Sequence, residues 1–234
     1  ISDLSTIGDF NGDGYDDFIV GAGINGGLTT TNAAYVVYGN ASGAVPDLSG
    51  GSIAASAGFK ITSGLTGDYF GIAVNSAGDT NGDGLADFVV TAKYGDASNR
   101  ESAYVVFGQS NASTLFASGL NVETGMTASM GYKIKLDETY WGHAVSNADD
   151  VNGDGLSDLL VTNDSNTSRS VYVIYGKTGN QSVTMTSYTQ FTPDMGYEVM
   201  TSNAIDAGTS VYGAGDVNGD GLADFIVSAP YSSA

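Results

Sequence analysis

Four short stretches of this chain carry oxygen-bearing side chains at one fixed spacing. They are DFNGDGYDD at Asp9–Asp17, DTNGDGLAD at Asp79–Asp87, DVNGDGLSD at Asp150–Asp158 and DVNGDGLAD at Asp216–Asp224. Each has Asp at positions 1, 5 and 9, Asn at position 3 and Gly at positions 4 and 6. Alternate side chains of a tight turn can point at one centre. The first copy offers Asp9, Asn11, Asp13 and Asp17; the second Asp79, Asn81, Asp83 and Asp87. The third offers Asp150, Asn152, Asp154 and Asp158, and the fourth Asp216, Asn218, Asp220 and Asp224. Position 7 (Tyr15, Leu85, Leu156 or Leu222) need give only its backbone carbonyl, so its side chain is free to be apolar. Such an oxygen-only set suits Ca²⁺, which takes six to eight oxygens at roughly 2.3–2.6 Å. With no cysteine and one histidine, zinc and the softer metals are poor fits. One ion per loop gives about four Ca²⁺.

An EF-hand is excluded. It needs a bidentate Glu at position 12 and flanking helices, whereas position 12 is Val20, Val90, Val161 or Val227. The runs after the loops (FIVGA, FVVTA, LLVTN and FIVSA) are β-branched and aromatic and read as strands. A metal-free Asp-Asn-Gly turn is the plainer alternative. Four recurrences of the same three carboxylates, which would repel one another without a cation, argue against it.

Positions 1, 5 and 9 of the loops hold twelve of the 26 acidic residues, against seven Lys and Arg, and the formal charge is −19. Such a surface makes nucleic acid and anionic membranes poor partners. No apolar run approaches the ~20 residues of a membrane-spanning helix, so no membrane insertion is expected. Loops of this type need calcium at levels found outside cells. That favours an extracellular, secreted or cell-surface location.

The loops recur at intervals of 70, 71 and 66 residues, and other features keep phase with them. After each loop comes the apolar strand, then AYVVYG (Ala34–Gly39), AYVVFG (Ala103–Gly108) or VYVIYG (Val171–Gly176), then a Ser/Thr/Gly-rich connector. GFKITS (Gly58–Ser63), GYKIKL (Gly131–Leu136) or GYEVMT (Gly196–Thr201) follows, and a small-residue strand such as GIAVNSAG precedes the next loop. Four short strands per period, with no helical periodicity, describe all-β, four-stranded antiparallel β-propeller blades. A β-solenoid is the alternative, but its coils are usually shorter. The small-residue strand fits the crowded inner edge, the loop joins strands 1 and 2, and the connectors read as loops between strands 3 and 4. The whole chain, 1–234, reads as one propeller segment. Its blades are 1–69, 70–140, 141–207 and an incomplete 208–234, about 3.5 in all. Lying in separate blades, the four loops read as independent sites.

Phe70-Gly71 before a loop, the nine-residue pattern itself and Ser228-Ala229-Pro230 after the last loop resemble the FG-GAP repeat. That repeat builds the seven-bladed propeller of integrin α subunits and occurs in bacterial surface and secreted proteins. The resemblance implies Ca²⁺ between strands 1 and 2 on the lower face, at the loop positions named above. It also implies that ligands are recognised on the opposite face. Copy three has Trp141 in place of Phe, copy four lacks the aromatic before Gly208, and copy one lacks its FG half. GAG, TAK and TND stand where GAP is expected in copies one to three. An open half-ring would expose a β edge, so the segment reads as part of a longer chain. Additional copies of it completing the ring are the alternative.

The expected role is a non-catalytic, calcium-binding extracellular module with structural, adhesive or protein-interaction function. A lectin-like, glycan-binding propeller and a non-catalytic propeller attached to an enzyme are the alternatives. Trp141 at the FG position reads as core rather than as a sugar platform. His143, the only histidine, and nearby Glu138 lack a repeated partner and do not make an enzyme.

Overall fold

A computed structural model describes residues 1–23, 32–94, 101–136, 144–164, 169–178, 183–185, 192–199 and 208–229. Trp141, His143, Glu138 and Pro230 lie outside them.

The first sheet is antiparallel, in the order β1 (Asp3–Gly8), β2 (Asp17–Gly21), β3 (Ala34–Val37), β4 (Gly58–Thr62). The second sheet starts with β5 (Val74–Gly78), β6 (Asp87–Ala92) and β7 (Ser102–Val106). After the one-turn helix α1 (Ala112–Leu115) and the two-residue strand β8 (Leu120–Asn121), β9 (Gly131–Leu136) completes it. The third runs β10 (Val145–Asp149), β11 (Asp158–Asp164), β12 (Arg169–Ile174) and, after β13 (Val183–Met185), β14 (Gly196–Val199). The fourth contains β15 (Val211–Gly215) and β16 (Asp224–Val227). These are β-propeller blades: four-stranded antiparallel sheets, repeated along the chain. The strands β1, β5, β10 and β15 line one cavity of about 640 Å³ with Asp3, Asn75, Asn147 and Tyr212 among the residues facing it. This puts the small-residue strands innermost.

Two of the connectors between strands 3 and 4 differ from expectation. The first is a plain loop, but the other two are not. The second carries α1 and β8, and β8 pairs in parallel with β4 of the preceding sheet through Ile61 and Thr62. The third carries β13, which pairs in parallel with β9 of its preceding sheet, from Val183 opposite Ile134 to Met185 opposite Leu136. Each thereby covers the outer edge of the sheet before it, whose unpaired N–H and C=O groups would otherwise template association.

The middle strands have no polar alternation because both their faces are buried. On β6, Phe88, Val90 and Ala92 join the core shared with the first sheet, while Val89 joins the core shared with the third. The period-2 geometry of a strand sends alternate side chains to opposite faces, and here both faces meet a neighbouring sheet. Phe70 is fully buried in the first of these cores, its ring 5.7 Å from that of Tyr104. Gly71 follows at φ 81°, where a Cβ would lie 2.7 Å from the Ala33 carbonyl oxygen. The Phe-Gly pair is thus one filler and one close backbone approach between sheets.

Phe10, at loop position 2, is also fully buried. Its ring lies 5.2 Å from Phe88, 5.9 Å from Phe59 and 6.4 Å from Phe116, and Phe59 stacks on Phe116 at 4.5 Å. This cluster joins two sheets and a connector. Replacing Phe10 by Ala is expected to lower stability by about 3–5 kcal/mol, the usual cost of emptying a large aromatic site. Urea denaturation measures it, and an unshifted midpoint would mean that the cluster adds nothing to the junction.

Candidate metal centre

Each loop is set between two strands by the same device. The ladder slips by one residue just before the loop, between Thr6 and Gly8, Ser76 and Gly78, Asn147 and Asp149, and Gly213 and Gly215. The residue at the end of each slip has positive φ (73°, 71°, 54° and 66°). Asp149 takes the role that glycine has in the other copies, and Asp is among the residues that tolerate this region. Position 6 (Gly14, Gly84, Gly155 and Gly221) has φ of 85–91°, yet a Cβ there would meet nothing within 4 Å. Glycine is needed there for backbone conformation, not for space.

The position-1 carboxylate faces back over the loop's own amides. Asp79 accepts from the N–H of Gly82 (2.7 Å), Asp83 (3.2 Å) and Gly84 (2.9 Å). Asn81 Oδ1 accepts from Asp83 N–H (2.8 Å), and Asp83 Oδ1 from Leu85 N–H (2.9 Å). Asn81 Nδ2 donates to Asp83 Oδ2 (3.0 Å). The equivalent bonds from Asn11 to Asp13 and from Asn152 to Asp154 are 3.1 and 3.0 Å. In the fourth loop Asn218 Nδ2 turns instead to Asp224 Oδ1, at 3.4 Å.

Position 9 behaves differently from positions 1, 3 and 5. Asp17, Asp87 and Asp158 are buried, at 1%, 0% and 0% exposure. One oxygen of each accepts the N–H of position 2: Phe10 (3.0 Å), Thr80 (2.9 Å) or Val151 (3.0 Å). The other accepts the N–H of the glycine just past strand 3: Gly39, Gly108 or Gly176, each at 2.8 Å. Thr80 adds its hydroxyl to Asp87 at 2.5 Å. Asp224 accepts from Val217 N–H at 2.8 Å. Burial pushes the Asp17 and Asp158 carboxyls up to about 6 and that of Asp87 up to about 7, against the pull of these N–H donors. Neighbouring Asp13, Asp83 and Asp154 raise them further.

Among the described residues no group of three acidic or imidazole side chains converges as a finished metal cage. The loop oxygens are instead brought to one turn and ordered by backbone amides. The donor set still fits a hard cation. A carboxylate has about four acceptor sites, so one or two N–H bonds per oxygen leave capacity. The side chains at positions 1, 3 and 5, the position-7 carbonyl and Asp at position 9 are the groups able to hold one. A positive charge there would also favour the ionised form of the buried position-9 carboxyls.

Three features escaped sequence reasoning: the double role of position 9, the glycine that closes strand 3, and the amide donors of position 2. The glycine had left a visible signal, since Tyr38-Gly39, Phe107-Gly108 and Tyr175-Gly176 recur in phase. Two described glutamates outside the loops are occupied elsewhere. Glu123 pairs with Lys133 and accepts from the Tyr104 hydroxyl at 2.5 Å, and Glu198 accepts from Ser170.

Comparison with known proteins follows the repeats. Residues 150–227 match the FG-GAP-like repeat, and residues 4–37 and 70–108 match the FG-GAP repeat. The chain is 30% identical over 159 residues to integrin alpha-V of Gallus gallus, covering 65% of this chain and 14% of that protein. It is 36% identical over 93 residues to integrin alpha-E of Mus musculus, covering 38% of this chain and 8% of that protein. The chain therefore spans only a small part of the length of these relatives.

The two kinds of loop aspartate are separable without any metal. Removing Asp87 leaves the buried N–H groups of Thr80 and Gly108 without their acceptor, at about 1–3 kcal/mol per unsatisfied group. In metal-free buffer Asp87→Ala is expected to lose at least about 2 kcal/mol, and Asp83→Ala, on the exposed side, less than about 1 kcal/mol. Equal losses in urea unfolding would show that position 9 has no bracing role.

Proposed function

The chain belongs to the FG-GAP repeat proteins, and from that premise we propose that it is a calcium-stabilised β-propeller module that presents a protein-binding surface outside the cell. The observation that carries the proposal is the loop itself. Four copies of one oxygen-rich turn sit at the same strand 1–strand 2 junction, with the same amide bonds ordering positions 1, 3 and 5. In this reading each loop holds one Ca²⁺ through the groups at positions 1, 3, 5, 7 and 9. The bound ion supplies charge neutralisation to carboxylates that the turn forces together.

The protein's own residues do the rest. The glycines at positions 4 and 6 curl the backbone, the amides orient the carboxylates, and Asp17, Asp87 and Asp158 fasten the closed loop to strand 3. The role is scaffolding, not catalysis. Likeness to two integrin alpha chains supports an adhesive or protein-interaction role at a cell surface. The formal charge of −19 supports a setting rich in divalent cations and argues against nucleic acid. No described helix is long and apolar enough to cross a membrane. The units 1–69, 70–140, 141–207 and 208–234 are read as successive blades of one propeller.

Calcium binds the closed loop and only weakly the unfolded chain. Mass action then adds about 2.7 kcal/mol per site at a hundredfold excess over Kd. Four sites together rival the ~5–15 kcal/mol net stability of an ordinary domain. EGTA is therefore expected to lower the melting temperature by many degrees, and added calcium to restore it. Thermal unfolding with and without calcium is the test, and superimposed curves would mean that the loops hold themselves together.

A further inference from the structure

The four loops do not stand apart. Position 8 of each loop donates its N–H to the position-1 carbonyl of the loop before it: Ala86 to Asp9 (3.2 Å), Ser157 to Asp79 (3.0 Å) and Ala223 to Asp150 (2.9 Å). The residue after the strand-3 glycine donates to the position-2 carbonyl of the same preceding loop: Gln109 to Phe10 (2.9 Å) and Lys177 to Thr80 (2.8 Å). The position-7 leucine lies over the position-4 glycine of the preceding loop. A Cβ on Gly12, Gly82 or Gly153 would come 3.1, 3.0 or 3.1 Å from Leu85, Leu156 or Leu222 Cδ2. Neighbouring loops are thus in direct contact although they lie in separate sheets.

These contacts join the position-9 aspartates into one relay. Asp17 accepts from the N–H groups of Phe10 and Asn11. The Phe10 carbonyl accepts from Gln109, and the adjoining Gly108 donates to Asp87. Asp87 accepts from Thr80, whose carbonyl accepts from Lys177, and the adjoining Gly176 donates to Asp158. There is no slack in the chain. A Cβ on Gly108 would lie 2.5 Å from Leu85 Cβ and 3.1 Å from the Phe10 carbonyl oxygen, and one on Gly176 2.7 Å from Leu156 Cβ and 3.0 Å from the Thr80 oxygen.

We infer that each loop is braced by the blade that follows it, so that adjacent loops bind calcium cooperatively, with the backbone N–H of Gln109 and Lys177 positioning loops one and two from the next blade. This rests on the calcium reading above. An ion that orders position 9 of one loop fixes the strand-3 glycine. That fixes the donor to the preceding loop's position 2, whose own N–H braces the preceding position 9. Closing one loop therefore reduces the ordering its neighbour must undergo when it binds, which is positive coupling. Linkage makes the coupling reciprocal between any two sites, but the contacts are nearest-neighbour only.

Loop one can be read separately, because Tyr15 is the only tyrosine at position 7 of any loop. Tb³⁺, a hard oxygen-seeking stand-in for Ca²⁺, gives tyrosine-sensitised emission, and the part lost in Tyr15→Leu belongs to loop one. Terbium and competing calcium are titrated into the unmutated protein and its variants. Asp83→Ala, in loop two, is expected to weaken loop one at least about fivefold, the lower end of ordinary coupling. Asp154→Ala, one blade further away, is expected to change it less. Gln109→Pro deletes the relay donor, since proline has no N–H, and is expected to weaken loop one by a similar factor. Gln109→Ala keeps the donor and should not. Circular dichroism confirms that each variant is folded. If terbium binds but loop one is unmoved in both Asp83→Ala and Gln109→Pro, the sites are independent and this inference is overturned while the calcium reading stands. If only Gln109→Pro is misfolded, Asp83→Ala decides alone. If no loop binds terbium or calcium, the calcium reading falls and takes the coupling with it.

Discussion

A buried carboxylate with two backbone partners is the constraint on which this structure turns. Asp17, Asp87 and Asp158 each hold the first amide inside the loop with one oxygen and the glycine past strand 3 with the other. A carboxylate buried this deeply is costly unless hydrogen-bonded, and donors to a charged acceptor are among the stronger bonds available. Because the two donors come from segments 25–29 residues apart, one side chain fixes the loop, the start of strand 2 and the end of strand 3 together. The less buried aspartates at position 1 and the exposed ones at position 5 can then be arranged cheaply, by amides of the same turn.

The sheets depend on this as much as the loops do. A middle strand such as β6 is buried on both faces and gives its apolar side chains to one of two cores. Its register cannot slip by one residue without exchanging the contents of both cores. The slip in the ladder at Ser76–Gly78 and the bracket at Asp87 pin that register at one end. Phe10 shows the same coupling from the other side: its N–H serves the bracket, its carbonyl serves the next blade, and its ring fills the core between them.

Much of this was legible in the residues. The identical spacing of Asp, Asn and Gly located the four loops, the valine at position 12 excluded helices, and the phase of AYVVYG and GFKITS gave strand order. What the residues could not show was where a carboxylate points. Asp13 and Asp17 are the same residue type four apart, yet one lies at the surface and the other is buried, a difference set by long-range contact with Gly39. The connectors were illegible for a related reason. Leu120–Asn121 is too short to carry a strand signal, and it becomes one only because the edge of β4 is there to receive it.

That borrowed strand separates the unit of sequence from the unit of folding. The repeat in the sequence runs from loop to loop, but the sheet closed by β8 takes its last strand from the next repeat, and the sheet closed by β13 does the same. The blades therefore overlap like roof tiles. A repeat cut out at its sequence boundaries would leave one bare edge behind and carry one orphan strand away. Grafting or shuffling blades of this type should succeed only when the cut is moved into the connector, so that each outer strand travels with the segment that shelters it.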